Sequence, residues 1–524
     1  GHEINKIMFF NFTKEKILKI SGVFIFIFIS AFSSISVMEK YRTREILALY
    51  ARSIKEDLRY SWQNKLIAKN SSASVFYANN KVAKSVPVLV YHGLPNEGAE
   101  DNPFRNEKFA EHMRTLKNAG WDTISLQEFN DFVRGKILLP EKSFLLTFDD
   151  GRKDTFYPSD PVLKDLGFQA VMYAITKKSL SPTSDQSTYY MSEYELLSME
   201  KSEHWEVESH GRDSHDWYYI NKDGDTGHFF SNLLWLEDEG RNETEEEFRA
   251  RIAYDFLHSK QDLENALGRE VNTFAYPFSD FGQDSENFPG SKDILMQEVA
   301  KQYDIVFYQV WEGDGETFNY IDTEKVMMRR IEPHGEWSGE YLLDTLNSGM
   351  YKELPYISTK YGKEWMRNWG ELEKGNSLLL KSNESSTGAG AILNGSYLWK
   401  NYTFTTDVNW QGDNNIVLLA RREDNQNYFA CNFGKNGKVY IKSLINNSSY
   451  NLVSENYYPK SYEKINLGIS VDGENIKCLA NGFTIIESKG INSRIPNGGI
   501  GIEIWSPEKG AAKTEFYNIT VNEN

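Results

Sequence analysis

A chain of 524 residues is long enough for two or three domains, each burying a core of its own. Its formal net charge of −17 disfavours a nucleic-acid partner, which would need basic stripes along phosphates, and is read first as solubility. The only two cysteines, Cys431 and Cys478, lie in the carboxyl-terminal third, which excludes a thiol nucleophile or a cysteine-based zinc site from the remainder.

Residues 20–38 carry no charge and are long enough to span a bilayer. Lys14, Lys16 and Lys19 precede them, which by the positive-inside rule keeps residues 1–19 cytoplasmic and sends the rest outside as a single-pass membrane protein. A cleavable signal peptide is the competing reading, with Ser34 and Ser36 spaced for cleavage. Residues 39–85 follow as a charged, partly helical stalk, with Leu47, Tyr50, Ile54 and Leu58 near helical spacing.

From residue 86 strand and helix signals alternate. They predict strand 87–91, helix 106–118, strand 122–126, helix 127–134, strand 143–148 and strand 168–175. A helix opened by the capping box Ser192…Glu195 follows, then strand 205–208. The aromatic and acidic stretch 216–243 interrupts the pattern as an insertion. A second capping box, Thr244…Glu247, opens a helix that runs to Gly268, followed by strand 272–276, helix 291–302, strands 304–310 and 325–331, and helix 338–347. Such alternation argues for a parallel sheet with crossover helices, as either a distorted barrel or an open doubly wound sheet. From about 365 to 524 short alternating strands with Asn/Gly turns predict a β-sandwich.

Chemistry concentrates after two of the predicted strands. Asp149 and Asp150 end the apolar run 143–148, and His210 and His215 follow the strand 205–208. An Asp-Asp-Gly turn or a solvated histidine pair is unremarkable alone. Together, at the carboxyl ends of strands in an α/β domain, they supply one carboxylate and two imidazoles for a divalent metal, with a second carboxylate left as a base. A metal held by three side chains keeps positions open for water, and hydrolysis is the natural expectation.

Thr147-Phe148-Asp149-Asp150-Gly151, the His210/His215 pair and Phe274-Ala275-Tyr276-Pro277-Phe278 resemble the three main motifs of the polysaccharide deacetylases, carbohydrate esterase family 4. The five-residue histidine spacing and Tyr91-His92-Gly93 are similar to its exopolysaccharide (poly-N-acetylglucosamine) branch. The resemblance implies a distorted (β/α)7-type barrel over 86–355. It also implies Asp149 as catalytic base, Asp150, His210 and His215 as metal ligands, His92 as general acid, and Tyr276, Pro277, Phe278 and Arg330 in the substrate and oxyanion neighbourhood. His334 is a rival acid. Many members carry an arginine where this chain has Ala275, and Arg330, Arg329 or Arg152 would have to replace it. Zinc, cobalt and nickel all suit the ligand set, zinc foremost.

The implied activity is removal of acetyl groups from an N-acetylated polysaccharide of the cell envelope or biofilm matrix. Two other readings stand beside it: a non-haem iron oxygenase, which would leave Asp149 without a task, and a non-catalytic glycan-binding envelope protein with a decayed site. The region after residue 365 resembles laminin-G or concanavalin-like jelly-roll modules, which implies either glycan binding or a structural role. Cys431 and Cys478 are read either as a disulfide or as buried small hydrophobes. His112 and His258 fall within helices and are read as structural.

Overall fold

Seven short strands, largely buried, build the first half of the molecule: β1 (Val88–Tyr91), β2 (Ser143–Phe148), β3 (Ala170–Ala174), β4 (Trp205–Ser209), β5 (Thr273–Ala275), β6 (Ile305–Gln309) and β7 (Met328–Arg330). The structure, a computed structural model, describes residues 81–94, 106–283, 285–311, 316–321, 323–490 and 494–524. The anticipated membrane segment 20–38, and the stalk up to residue 80, lie outside the described residues. No described helix is long and apolar enough to cross a membrane.

Each strand pairs in parallel with its neighbours in sequence, from β1 through to β7. The ring then closes, because Leu89 of β1 bridges Ile331 in parallel. Val90 N–H donates to the Ile331 carbonyl at 2.9 Å, and Ile331 N–H donates to the Val88 carbonyl at 2.8 Å. A closed parallel barrel buries both faces of its strands, which is why β1, β2 and β3 read as continuous apolar runs.

The two-residue period of a strand divides these side chains between two cores. Val88, Leu145, Val171, Tyr173, Ala275, Ile305, Phe307 and Met328 share the interior cluster, whereas Leu89, Tyr91, Phe144, Leu146 and Phe148 pack outward among the helices. Asp149 continues the inward parity of Leu145, and Arg330 that of Met328. Both therefore arrive at the carboxyl-terminal mouth of the barrel, where this architecture places functional groups.

One local expectation is corrected and one unanticipated helix is added. Strand 122–126 is only Asp122–Thr123, because Ser125 and Glu128 form a capping box that starts a helix at Leu126. The helix Lys153–Leu166 carries Pro158 and Pro161 inside it, which conceal it in the sequence. Pro158 has no N–H for the Asp154 carbonyl, and Leu94 N–H takes that acceptor at 3.0 Å.

The second half is all β. A seven-stranded and an eight-stranded sheet, antiparallel throughout, enclose their own core. A Cys431–Cys478 disulfide ties a strand of one sheet to a strand of the other, which resolves the two readings of the cysteines. The sandwich packs on the barrel: Tyr397 stacks on Tyr320 at 4.7 Å, Arg329 lies 5.8 Å from the Tyr397 ring, and Trp399 Nε1–H donates to the Lys352 carbonyl at 2.7 Å.

Candidate active site

The site begins where β2 ends. Asp149 N–H donates to the Tyr91 carbonyl at 3.1 Å, extending the β1–β2 pairing by one rung. The chain then turns through left-handed conformations at Asp150 (φ 75°) and Gly151 (φ 64°). An aspartate tolerates this region better than most residues. At Gly151 a side chain would also approach Ala174 Cβ at 3.2 Å. The turn sends the two carboxylates different ways, Asp149 over the barrel axis and Asp150 toward the histidine loop.

Arg330 grips Asp149 with two parallel hydrogen bonds, Nη1 to Oδ1 at 2.7 Å and Nη2 to Oδ2 at 2.6 Å. Both side chains are withdrawn from solvent, at 2% and 1% exposure. Burial pushes the Asp149 carboxyl up, but the Arg330 guanidinium, with His210 and His92, outweighs it and holds the group below its ordinary value. Of the three arginines open as replacements at Ala275, only Arg330 makes this contact. Arg152 is committed to Asp154 at 2.8 and 2.6 Å, and Arg329 donates to the Phe318 carbonyl at 3.1 Å.

Asp150, His210 and His215 come together so that one ligand atom from each lies within 4.8 Å of the others. Asp150 Oδ1 is 3.0 Å from His215 Nε2 and 3.5 Å from His210 Nε2, yet it is buried without a hydrogen bond. Ligands about 2.1 Å from a shared tetrahedral ion stand roughly 3.4 Å apart, so these spacings fit a divalent cation. His210 Nδ1 sits 2.8 Å from the Ala275 carbonyl and is its donor, which leaves Nε2 as the free lone pair. The backbone of the third motif thus sets the tautomer of a residue in the second. Burial pushes the Asp150 carboxyl up, but the two imidazoles dominate and hold it well below its ordinary value.

His92, just past β1, is the third imidazole at the mouth. Its Nε2 is 3.8 Å from Asp149 Oδ2, and its Nδ1 is 2.8 Å from Glu332 Oε1. Burial favours the neutral ring, but Glu332, reinforced by Asp150 and Asp149, raises the pKa to about 9. His334 lines a cleft with Glu332, Trp337 and Tyr341 on one side and Lys363, Met366 and Lys374 on the other.

The third motif divides. Tyr276 is buried, its hydroxyl donating to the Val326 carbonyl at 3.5 Å and its N–H to the Phe307 carbonyl at 3.0 Å, so neither faces the cluster. Pro277 is buried behind it. Phe278 alone turns outward, 40% exposed, with its ring 4.5 Å from His215. His112 is buried, its ring nitrogens 3.0 Å from Tyr91 Oη and 2.9 Å from the Trp337 carbonyl, while His258 packs against Tyr254 with ring centroids 4.0 Å apart.

Two supporting residues escape the motif reading. Glu332 shares the inward parity of Arg330 two residues earlier, a signal the sequence does contain. Asp255 sits on the buried face of the Glu245–Leu267 helix among Ile252, Phe256 and Ser259. Its carboxylate accepts from Asp213 N–H at 2.6 Å, Arg212 N–H at 3.3 Å and Ser214 Oγ at 3.0 Å, the loop that joins the two histidines. Burial pushes Asp255 up to about 6 against those hydrogen bonds. A carboxylate within an apolar helical stripe is the trace it leaves in the sequence.

Residues 137–289 match the family model described as polysaccharide deacetylase. The poly-beta-1,6-N-acetyl-D-glucosamine N-deacetylase of Escherichia coli K12 is 24% identical over 231 residues, 42% of this chain and 33% of its own length. The chain thus spans about a third of that relative. A Staphylococcus aureus (strain MRSA252) protein of the same name is 22% identical over 40% of this chain and 65% of its own. A solved de-N-acetylase from Aggregatibacter actinomycetemcomitans aligns over 50% of this chain and 99% of its own, at 20% identity and a TM-score of 0.42.

Proposed function

Because the chain carries a polysaccharide deacetylase domain, we propose that it removes acetyl groups from an N-acetylated polysaccharide, with a poly-N-acetylhexosamine as the first substrate to test. The observation that carries this reading is the Asp150–His210–His215 cluster beside an Arg330-held Asp149 on the rim of a parallel barrel. A divalent metal bound by Asp150, His210 and His215, zinc foremost, would supply Lewis-acid activation of water and charge stabilisation at the acetamide carbonyl. The chain's own residues do the rest. Asp149, kept ionised and oriented by Arg330, accepts the proton of the attacking water. His92, protonated through its pairing with Glu332, gives its proton to the departing sugar nitrogen, and acetate and a free amine leave.

The oxygenase reading is disfavoured because Asp149 has a defined place here, held by Arg330 and facing His92. The Cys431–Cys478 disulfide suits an oxidising compartment, in keeping with an exported protein. Acetate release from N-acetylated oligosaccharides and polymers, with metal content measured on the same sample, tests the proposal. Metal-loaded protein that releases none would refute it.

A further inference from the structure

The rings that border the cluster come largely from a segment that none of the three motifs contains. Within the insertion at 216–243, Trp217–Tyr219 pairs antiparallel with Thr226–His228, so that Trp217 stands opposite His228. Trp217 and His228 meet edge-on at 4.4 Å, His228 stacks on Phe278 at 4.7 Å and 14°, and Phe278 reaches His215 at 4.5 Å. A continuous row of rings therefore leads from the hairpin to a member of the candidate metal cluster.

These rings are not core. Trp217 is 58% exposed and Phe278 40%. A hairpin tryptophan can be exposed for no purpose, but that does not account for Phe278. Its backbone is left-handed (φ 57°), as is that of Ser279 (φ 56°), a conformation that aromatic side chains avoid. Ser279 Oγ pins the turn, accepting from Gln309 N–H at 2.7 Å. The turn holds the ring at the mouth, and residues kept in such backbone regions cluster at ligand clamps. Grouped exposed apolar rings beside a polar cluster mark a binding surface.

We propose that Trp217, with His228 and Phe278, is a stacking shelf for the pyranose ring next to the one being deacetylated, so that the inserted hairpin sets a preference for polymer over single sugar. A pyranose presents an apolar C–H face and a rim of hydroxyls, and flat aromatic rings with polar neighbours match both. The inference rests on the deacetylase reading. Trp217 is a specificity residue that touches the chain beyond the reacting acetamide.

The test compares wild type, Trp217→Ala and Trp217→Phe, all metal-loaded, on N-acetylglucosamine and on its β-1,6-linked oligomers. In Trp217→Ala, KM for the pentamer should rise about three- to tenfold, the span an aromatic contact supports, with a smaller change on the monosaccharide and partial rescue by phenylalanine. Equal KM values for wild type and Trp217→Ala at every length would overturn the shelf. Calorimetric titration with the same pentamer provides a second readout. If wild type bound the pentamer but released no acetate, the deacetylase reading would fall, and weaker binding by Trp217→Ala would still uphold the shelf. Equal binding by both proteins would overturn it.

Discussion

Arg330 and Asp149 form a bidentate ion pair at a depth where neither partner sees water. Removing one partner of a buried pair leaves the other charge uncompensated. Arg330→Ala should therefore lower unfolding free energy by about 3–5 kcal/mol, read by denaturant titration. Misplacing the base should also cost on the order of a hundredfold in acetate release, with metal content retained. Arg330→Lys should recover only part, because an ammonium cannot reproduce the two-point grip. The His92–Glu332 pair carries a pH signature. The folded pKa of about 9 lies above the ordinary 6.5, so the pair adds stability that is fully present below 6.5 and is lost as pH rises through 9. In metal-free protein, Glu332→Gln should lower the denaturation midpoint most in mildly acidic buffer, and the difference from wild type should fade toward pH 9. A constant difference across that range would contradict the assignment. Asp149 was legible as a site residue because it directly follows an apolar strand run. Which arginine reaches the carboxylate was not, because Arg329 and Arg330 are adjacent and a one-residue slip exchanges inside for outside.

At the scale of elements, the histidine loop shows how the scaffold fixes a ligand pair. His210 is set by the Ala275 carbonyl at the end of β5, while the chain between His210 and His215 hangs on Asp255 of the long helix. Asp255→Ala would free two backbone N–H groups and the Ser214 hydroxyl at once. Metal affinity should fall about 10- to 100-fold, measured by chelator competition, although Asp255 touches neither histidine ring. Unchanged affinity would mean that the loop holds its own shape. Elements with clean caps were readable from sequence, including the helices opened by Ser192 and Thr244. The Lys153–Leu166 helix was not, because its two prolines mimic a break. Its freed Asp154 carbonyl is satisfied by Leu94, which is distant in sequence.

Across the whole molecule, barrel and sandwich keep separate cores but share a packed seam at Tyr320, Arg329 and Tyr397. Alternation alone left barrel and open sheet equally available, since the choice rests on one bridge between Leu89 and Ile331, a long-range contact that no local pattern encodes. Within the sandwich, the Cys431–Cys478 bridge closes a span of 47 residues. Its removal by Cys431→Ala with Cys478→Ala should destabilise that module by about 2–4 kcal/mol, seen as a shifted thermal transition while acetate release at low temperature persists. Loss of activity at low temperature would instead tie the sandwich to the chemistry. The central claim is that Asp150, His210 and His215 hold a metal while Asp149 performs the proton transfer. It is tested most directly by measuring bound metal and released acetate together in wild type, His210→Ala and Asp149→Asn on a poly-N-acetylglucosamine substrate. Wild type should hold about one divalent ion per chain and release acetate, His210→Ala should lose both, and Asp149→Asn should keep the ion and lose the acetate. Full metal occupancy in His210→Ala, or undiminished acetate release by Asp149→Asn, would contradict the account.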